Sequence, residues 1–302
     1  MKKMTRLVLI FICMIQLMAC SRTNEAEDKI TFFSFISPRE TRVILEMEKA
    51  LVEEYTDYTV TLENVDQVSL GWTFLEAGVG DGYMEYTGTA YTTILQNTIT
   101  EDVLDPEVMK KEVQRQLSEK GYVLLENYGF ANTYAVAVTE EFAAMHELET
   151  ISDLVELAPE LTIVANADFL NRDGVLSFSS LCDRYGLEFG NAISMDVGLM
   201  YQAMAKGEVH ACIAYTTDGA LIDQNLKCLE DDMNVFPPYE ACTLIRTEVL
   251  EKHEGLEAAL NRLSGQVTAR EMQEMNRAIM ADEISDHDMA IKFLRRKGLI
   301  GD

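Results

Sequence analysis

Short apolar runs alternate with longer amphipathic stretches from residue 30 onwards. Apolar, β-branched and aromatic runs predict strands at 30–35, 58–63, 81–86, 134–138, 161–165 and 211–215. Apolar residues at helical spacing predict helices at 38–55, 72–77 and 106–120. Capping-box patterns at 268–271 and 285–288 predict two further helices near the C-terminus. This alternation is typical of an α/β fold with parallel sheets and crossover helices.

No obvious linker interrupts the middle of the chain, although 302 residues are enough for about two domains. Two lobes without a linker indicate that the chain crosses between them more than once. A ligand site would then fall in the cleft between the lobes.

The first 28 residues have a different pattern from the rest. Lys2, Lys3 and Arg6 precede an apolar run at 7–19 that contains one polar residue. These 13 residues would cover roughly 20 Å as a helix, which is too short to span a membrane but typical of a secretory signal. The run ends in Leu-Met-Ala-Cys20, which resembles a bacterial lipobox. We therefore expect a lipoprotein signal peptide at 1–19, a lipid on Cys20 and a polar tether at 20–28; the alternative is plain secretion with an incidental cysteine.

The net charge of the chain argues against nucleic acids as partners. The chain carries 51 acidic and 25 basic residues, a formal net charge of −26. Such a surface repels phosphate backbones, so we expect no nucleic-acid binding. The acidic balance is otherwise compatible with an ordinary soluble surface.

Four cysteines remain after the signal and the lipidation site are set aside: Cys182, Cys212, Cys228 and Cys242. None belongs to a CxxC pair, so the spacing gives no support for a zinc site. They could form two disulfides or remain free thiols. The apolar strand around Cys212 favours free thiols.

The sequence lacks the patterns on which catalysis usually depends. None of the four histidines lies near a Gly-rich turn or a second ligand at metal spacing, and no GxSxG, Walker, GxGxxG or HExxH pattern occurs. We expect neither an enzyme nor a bound metal or cofactor.

Tyrosines beside turn-forming residues are the positive signal. Tyr86, Tyr134, Tyr215 and Tyr239 each lie near a predicted strand end, where α/β folds place ligand-contacting loops. Converging tyrosine rings can enclose a quaternary ammonium ion, because their faces are negative and such a cation donates no hydrogen bond. The alternative is chance, since 12 tyrosines will place some in loops.

Six segments, taken in order, resemble the substrate-binding lipoproteins of ABC importers for glycine betaine, carnitine and choline. They are Gly-Asp-Gly-Tyr-Met-Glu-Tyr-Thr-Gly-Thr at 80–89, Tyr-Gly-Phe-Ala-Asn-Thr-Tyr at 128–134, Ile-Ser-Asp-Leu at 151–154, Met-Asp-Val-Gly-Leu-Met-Tyr-Gln-Ala-Met at 195–204, Ala-Tyr-Thr-Thr-Asp-Gly at 214–219 and Leu-Glu-Asp-Asp … Phe-Pro-Pro-Tyr at 229–239. The resemblance runs from about residue 29 to residue 300.

The resemblance implies a two-lobed, periplasmic-binding-protein-like fold of type II. It implies one lobe at 29–132 plus 238–302 and a second at 133–237. The expected protein is a monomer outside the cytoplasmic membrane that delivers its ligand to an ABC permease with its ATPase.

The resemblance also implies a set of ligand-binding residues. The four tyrosines match the aromatic cage, Arg172 matches the group that holds a ligand carboxylate, and Thr89 matches a second polar contact. Asn132 falls beside the cage, where it could instead only shape the turn. A surface salt bridge with Asp168 or Asp173 is the alternative for Arg172.

One departure concerns the first strand. Relatives often carry a lysine shortly after it, whereas this chain reads Phe-Ser-Phe-Ile-Ser at 33–37, with Phe35 near the matching place. Losing a cation should weaken binding of a carboxylate more than binding of an ammonium group, so the preferred quaternary ligand stays open.

Two alternative functions also remain. One is a binding protein of the same fold for another solute, such as an amino acid, and the other is a surface adhesion or sensor protein.

Overall fold

The computed structural model describes residues 29–35, 38–281 and 283–301. The expected signal peptide at 1–19, the expected lipidation site at Cys20 and the expected tether at 20–28 all lie outside the described residues. No helix in the described part of the chain is long and apolar enough to cross a membrane.

Ten strands and thirteen α-helices alternate along these residues, together with five short 3-10 or π-helical turns. The strands are β1 (Lys29–Phe35), β2 (Thr59–Val65), β3 (Gly82–Tyr86), β4 (Tyr122–Leu124), β5 (Tyr134–Thr139), β6 (Thr162–Ala165), β7 (Asn191–Ser194), β8 (Ala211–Tyr215), β9 (Leu226–Cys228) and β10 (Ala241–Arg246). The helices are α1 (Glu40–Tyr55), α2 (Val68–Glu76), α3 (Thr87–Thr89), α4 (Pro106–Ser118), α5 (Glu140–His146), α6 (Ala167–Asn171), α7 (Phe178–Tyr185), α8 (Val197–Ala205), α9 (Ala220–Asp223), α10 (Thr247–Lys252), α11 (Leu256–Leu260), α12 (Ala269–Met280) and α13 (Asp286–Lys297).

The strands form two five-stranded sheets, one in each lobe. The first lobe has the order β2-β1-β3-β10-β4, and the second lobe has the order β7-β6-β8-β5-β9. Apolar clusters cover both faces of each sheet. The two-lobed α/β fold expected from the sequence is confirmed.

The sequence predicts parallel sheets, but both sheets are mixed. Strand β10 is antiparallel to β3 and β4, and β5 is antiparallel to β8 and β9. Both exceptions are the strands that the chain enters directly after passing from one lobe to the other. The two crossing segments pair with each other, because the amide of Asn132 donates to the Tyr239 carbonyl at 3.0 Å and that of Ala241 donates to the Phe130 carbonyl at 3.1 Å.

Local signals explain several helix boundaries. Thr268 and Glu271 form the expected reciprocal capping box at the start of α12, and the Ser285 hydroxyl accepts from the Asp288 amide at the start of α13. Helix α2 begins four residues before the predicted start at Trp72. The four cysteines in the described part of the chain are free thiols, as expected, with Cys212 and Cys242 buried.

Candidate ligand-binding site between the lobes

A cavity of about 450 Å³ lies where the ends of β3 and β8 face each other across the lobes. Its lining residues are Phe35, Pro38, Thr41, Met84, Glu85, Tyr86, Thr89, Asn132, Tyr215, Asp218 and Tyr239. Five of the seven predicted ligand-binding residues line it: Tyr86, Thr89, Asn132, Tyr215 and Tyr239. Tyr134 and Arg172 are not among the lining residues.

Tyr86 is the last residue of β3, and a buried carboxylate behind it fixes its side chain. Its side chain is 8% exposed, and its hydroxyl donates to the Glu40 carboxylate. The same Glu40 oxygen accepts from Asn132 Nδ2 at 2.7 Å. Burial and the Glu40 charge both raise the pKa of Tyr86 well above its ordinary value, so the phenol stays protonated. The hydrogen bond to Glu40 holds the ring in place.

Tyr239 reaches the same cavity from the second crossing segment. Its ring lies directly over Gly88 in α3, where an added Cβ would come within 2.8 Å of three ring atoms. Thr87 ties this turn to the crossing segment, since its hydroxyl donates to the Pro238 carbonyl at 2.9 Å and accepts from the Glu240 amide at 3.1 Å. The Thr-Gly pair after Tyr86 is therefore what lets Tyr239 lie flat against the cavity wall.

The second lobe contributes a tyrosine pair. Tyr134 and Tyr215 are cross-strand neighbours with ring centroids 5.0 Å apart, and their hydroxyl oxygens are 3.4 Å apart. Tyr134 also packs on Phe169, at 4.9 Å between centroids. Tyr215 thus faces the cavity, while Tyr134 supports it at the side.

Arg172 lies at the end of α6 and pairs with Asp168, one helical turn away. This is the salt bridge considered as the alternative to ligand binding. Its charge still reaches the tyrosines. Burial raises the pKa of Tyr215 and Tyr239, and the Arg172 guanidinium opposes part of both rises. A role for Arg172 in holding a ligand carboxylate remains a prediction.

Phe35 lies near the position where the resemblance implies a lysine. It is 1% exposed, meets Tyr83 edge-on at 5.3 Å between centroids and lies so close to Gly71 that a Cβ there would come within 2.7 Å of its ring. Phe35 is therefore a core residue whose edge forms part of the cavity wall.

The described residues that line the cavity include two acids and no lysine or arginine. Burial raises the pKa of Glu85 to about 8, against the opposing hydrogen bond from the Tyr86 amide. Burial also raises the pKa of Asp218, which accepts a hydrogen bond from the Tyr201 hydroxyl. Asn132 Oδ1 is buried without a hydrogen-bond partner among the described residues. The cavity thus offers aromatic faces and acceptors.

Comparison with known proteins identifies the family of this chain. Residues 33–296 match the family described as the substrate-binding domain of ABC-type glycine betaine transport systems. The chain belongs to this family.

Individual relatives support the same assignment. The carnitine transport binding protein OpuCC of Listeria monocytogenes is 32% identical over 241 residues, covering 78% of this chain and 77% of the relative. The glycine-betaine-binding protein of Pseudomonas aeruginosa is 31% identical over 257 residues, covering 81% of each chain. A crystal structure described as a glycine betaine/carnitine/choline ABC transporter has a TM-score of 0.82 at 29% identity, covering 89% of this chain and 99% of that one. The resemblance inferred from the motifs is confirmed.

Two residues that organise this substrate-binding domain were missed by sequence reasoning. Glu40 is 2% exposed and accepts hydrogen bonds from three side chains, and Asn276 on α12 supplies one of them at 2.7 Å. A signal for Glu40 existed, because the acid lies at helical spacing with the buried residues Ile44, Met47 and Leu51. An acid on the apolar face of a helix needs partners. Asn276 gave the same kind of signal, since it lies at helical spacing with the buried Met272 and Ile279. Its partner could not be identified from it, because Glu40 is 236 positions away.

Proposed function

We propose that this protein captures a quaternary ammonium compound in the cavity between its lobes and presents it to an ABC permease with its ATPase. The observation that carries the proposal is the convergence of Tyr86 and Tyr239 with Tyr215 of the second lobe on one cavity. Membership in the ABC-type family supports the transport role.

The chemistry of the wall favours a cation that cannot donate hydrogen bonds. Each desolvated ring contributes roughly 0.5–2 kcal/mol to binding a cation over its face. A primary ammonium group would instead need several free acceptors. The Asp218 carboxylate accepts from Tyr201, and Glu40 accepts from three donors. Among the described residues that line the cavity, two buried side-chain atoms lack a hydrogen-bond partner, Glu85 Oε2 and Asn132 Oδ1. That is fewer than the three acceptors that a primary ammonium group can use, so the amino-acid alternative is not favoured.

The unpaired Asn132 Oδ1 bears on which quaternary compound binds. An acceptor without a partner favours a ligand that carries a hydroxyl donor, as choline and carnitine do and glycine betaine does not. For ligands with a carboxylate, Arg172 is the basic group that we expect to reach it, after exchanging its contact with Asp168.

Ligand binding would be coupled to lobe closure. Helix α12, at the C-terminal end of the first lobe, donates to the second lobe from Gln273 to the Thr216 carbonyl at 2.8 Å and from Asn276 to the Thr217 carbonyl at 2.9 Å. A ligand held by Tyr86 and Tyr215 together adds contacts that exist only when the lobes meet. Such differential contacts shift the population towards the closed form.

The proposal includes where the protein is located and what it does to its ligand. We expect a monomer held on the outer face of the cytoplasmic membrane by a lipid on Cys20. The protein would bind and release its ligand unchanged, without catalysing a reaction.

Isothermal titration of the purified protein tests the proposal. We expect micromolar binding of at least one ligand among choline, carnitine and glycine betaine, and no binding of a primary-amine amino acid such as glutamine. Binding of the amino acid alone would contradict the proposal.

A further inference from the structure

Glu40 lies behind the candidate cage rather than in it. The residue is 2% exposed and is not among the residues that line the cavity, although Pro38 and Thr41 on either side of it are. It is the first residue of the 16-residue helix α1, where the positive end of the helix dipole stabilises an acidic side chain. A carboxylate is thus buried directly behind the wall of the proposed cation site.

Every hydrogen bond recorded for this carboxylate comes from a donor. Oε1 accepts from the Tyr86 hydroxyl and from Asn132 Nδ2 at 2.7 Å, and Oε2 accepts from Asn276 Nδ2 at 2.7 Å. An ionised carboxylate is an acceptor only, and three donors match that form. The three donors come from β3, from the first crossing segment and from α12, so Glu40 joins the cage to one crossing segment and to the helix that contacts the second lobe.

The negative charge of Glu40 acts on the cavity in two ways. A phenol that donates to a carboxylate is polarised, which makes its ring face more negative and strengthens its attraction for a cation. The charge also acts through space, where a protein interior screens it less than water does. The Glu40 charge also acts on the second lobe. Burial is the main cause that raises the pKa of Asp218 there, and the Glu40 charge raises it further.

We infer that Glu40 is a positioning and specificity-determining residue: it fixes the Tyr86 ring and supplies, through Tyr86, the negative charge that makes the cavity prefer a cation to a neutral ligand of the same shape. This inference rests on the proposed function, and it assigns the preference for charge to a residue that does not touch the ligand.

The test compares two ligands of nearly identical shape. Choline carries a trimethylammonium group, and 3,3-dimethylbutan-1-ol carries an uncharged tert-butyl group in its place. We expect Glu40→Gln to weaken choline binding at least tenfold and to change binding of the neutral alcohol less than twofold, measured by titration calorimetry for choline and by NMR titration for the alcohol. Equal losses for both ligands would show a merely structural role and overturn the inference, as would unchanged choline affinity.

Control variants separate the local charge from other effects. Glu54→Gln removes one charge from the exposed side of the same helix and should leave both affinities unchanged. Tyr86→Phe keeps the ring but removes its bond to Glu40, so it should lower the ratio of choline to alcohol affinity in the same direction. It also supplies the test if Glu40→Gln does not fold.

A double variant tests whether Glu40 acts through Tyr86. If it does, Glu40→Gln combined with Tyr86→Phe should weaken choline binding less than the sum of the two single effects. Strict additivity would show that the charge acts independently of Tyr86 and would overturn that part of the inference. If the unaltered protein binds neither choline nor any other quaternary ligand, the proposed function itself has failed, a result that is distinct from an unchanged ligand ratio in the variants.

Discussion

The two lobes contribute differently built halves to the candidate site. In the first lobe, Tyr86 is 8% exposed, and its hydroxyl is bonded to a buried carboxylate. In the second lobe, Tyr134 and Tyr215 are only half-buried. Their rings touch each other, and the Tyr134 ring also touches Phe169. Hydrogen bonds to buried partners fix orientation more strictly than ring contacts do. The comparison indicates that the first lobe holds a preformed half-site and that the second lobe completes it.

The largest expected effect comes from removing the preformed half. Tyr86→Ala deletes a ring and leaves Glu40 without one of its three donors, so we expect choline affinity to fall about a hundredfold. Tyr215→Ala removes a ring without releasing a buried charge, and its effect should be about tenfold. Titration calorimetry on both variants measures the contrast, with circular dichroism to verify folding. Larger losses for Tyr215→Ala than for Tyr86→Ala would contradict the assignment of the preformed half to the first lobe.

The buried acids of the first lobe should also make the free energy of unfolding depend on pH. Glu48 on α1 is fully buried and accepts from Tyr128 at 2.9 Å and from Thr243. Burial raises its pKa to about 7 despite these hydrogen bonds. The folded state then holds a proton that the unfolded state has lost, so stability should fall as pH rises from about 4.5 to 7, by on the order of 2 kcal/mol.

Glu48→Gln should flatten this part of the pH dependence, measured by urea unfolding at pH 5 and pH 8. The slope would not vanish, since Glu85 contributes with the same sign up to its pKa of about 8. Glu54→Gln, exposed on the same helix, is the matched control and should leave the slope unchanged. An identical slope in the Glu48 variant and the unaltered protein would refute the account of this buried acid.

A smaller effect is expected where the first lobe meets the crossing segment. Gly88→Ala places a methyl group within 2.8 Å of the Tyr239 ring and must displace it, so we expect choline affinity to fall several-fold to tenfold. Gly198→Ala is the control, because a Cβ there meets no atom within 4 Å and alanine favours the helix. Full affinity in the Gly88 variant would show that the position of Tyr239 is unimportant for binding.

The predictability of these features from sequence depends on how local their causes are. Helix α1 and strand β3 were predicted because periodicity is a property of neighbouring residues. The salt bridge of Arg172 with Asp168 was foreseeable for the same reason, since the two residues are one helical turn apart. Strand β10 was not predicted, and its antiparallel direction depends on the return of the chain from the second lobe. The burial of Glu40 was detectable from its place on the apolar face of α1, but its partners were not, because they are 46, 92 and 236 residues away in sequence.

The central claim is that rings from both lobes enclose a quaternary ammonium group, and a crystal structure of the choline complex tests it most directly. We expect the choline nitrogen within about 6 Å of the ring centroids of Tyr86, Tyr215 and Tyr239, with Glu40 still bonded to Tyr86. Choline bound elsewhere, for example in the cavity of about 370 Å³ bordered by Met275 of α12 and Phe293 of α13, would contradict the account.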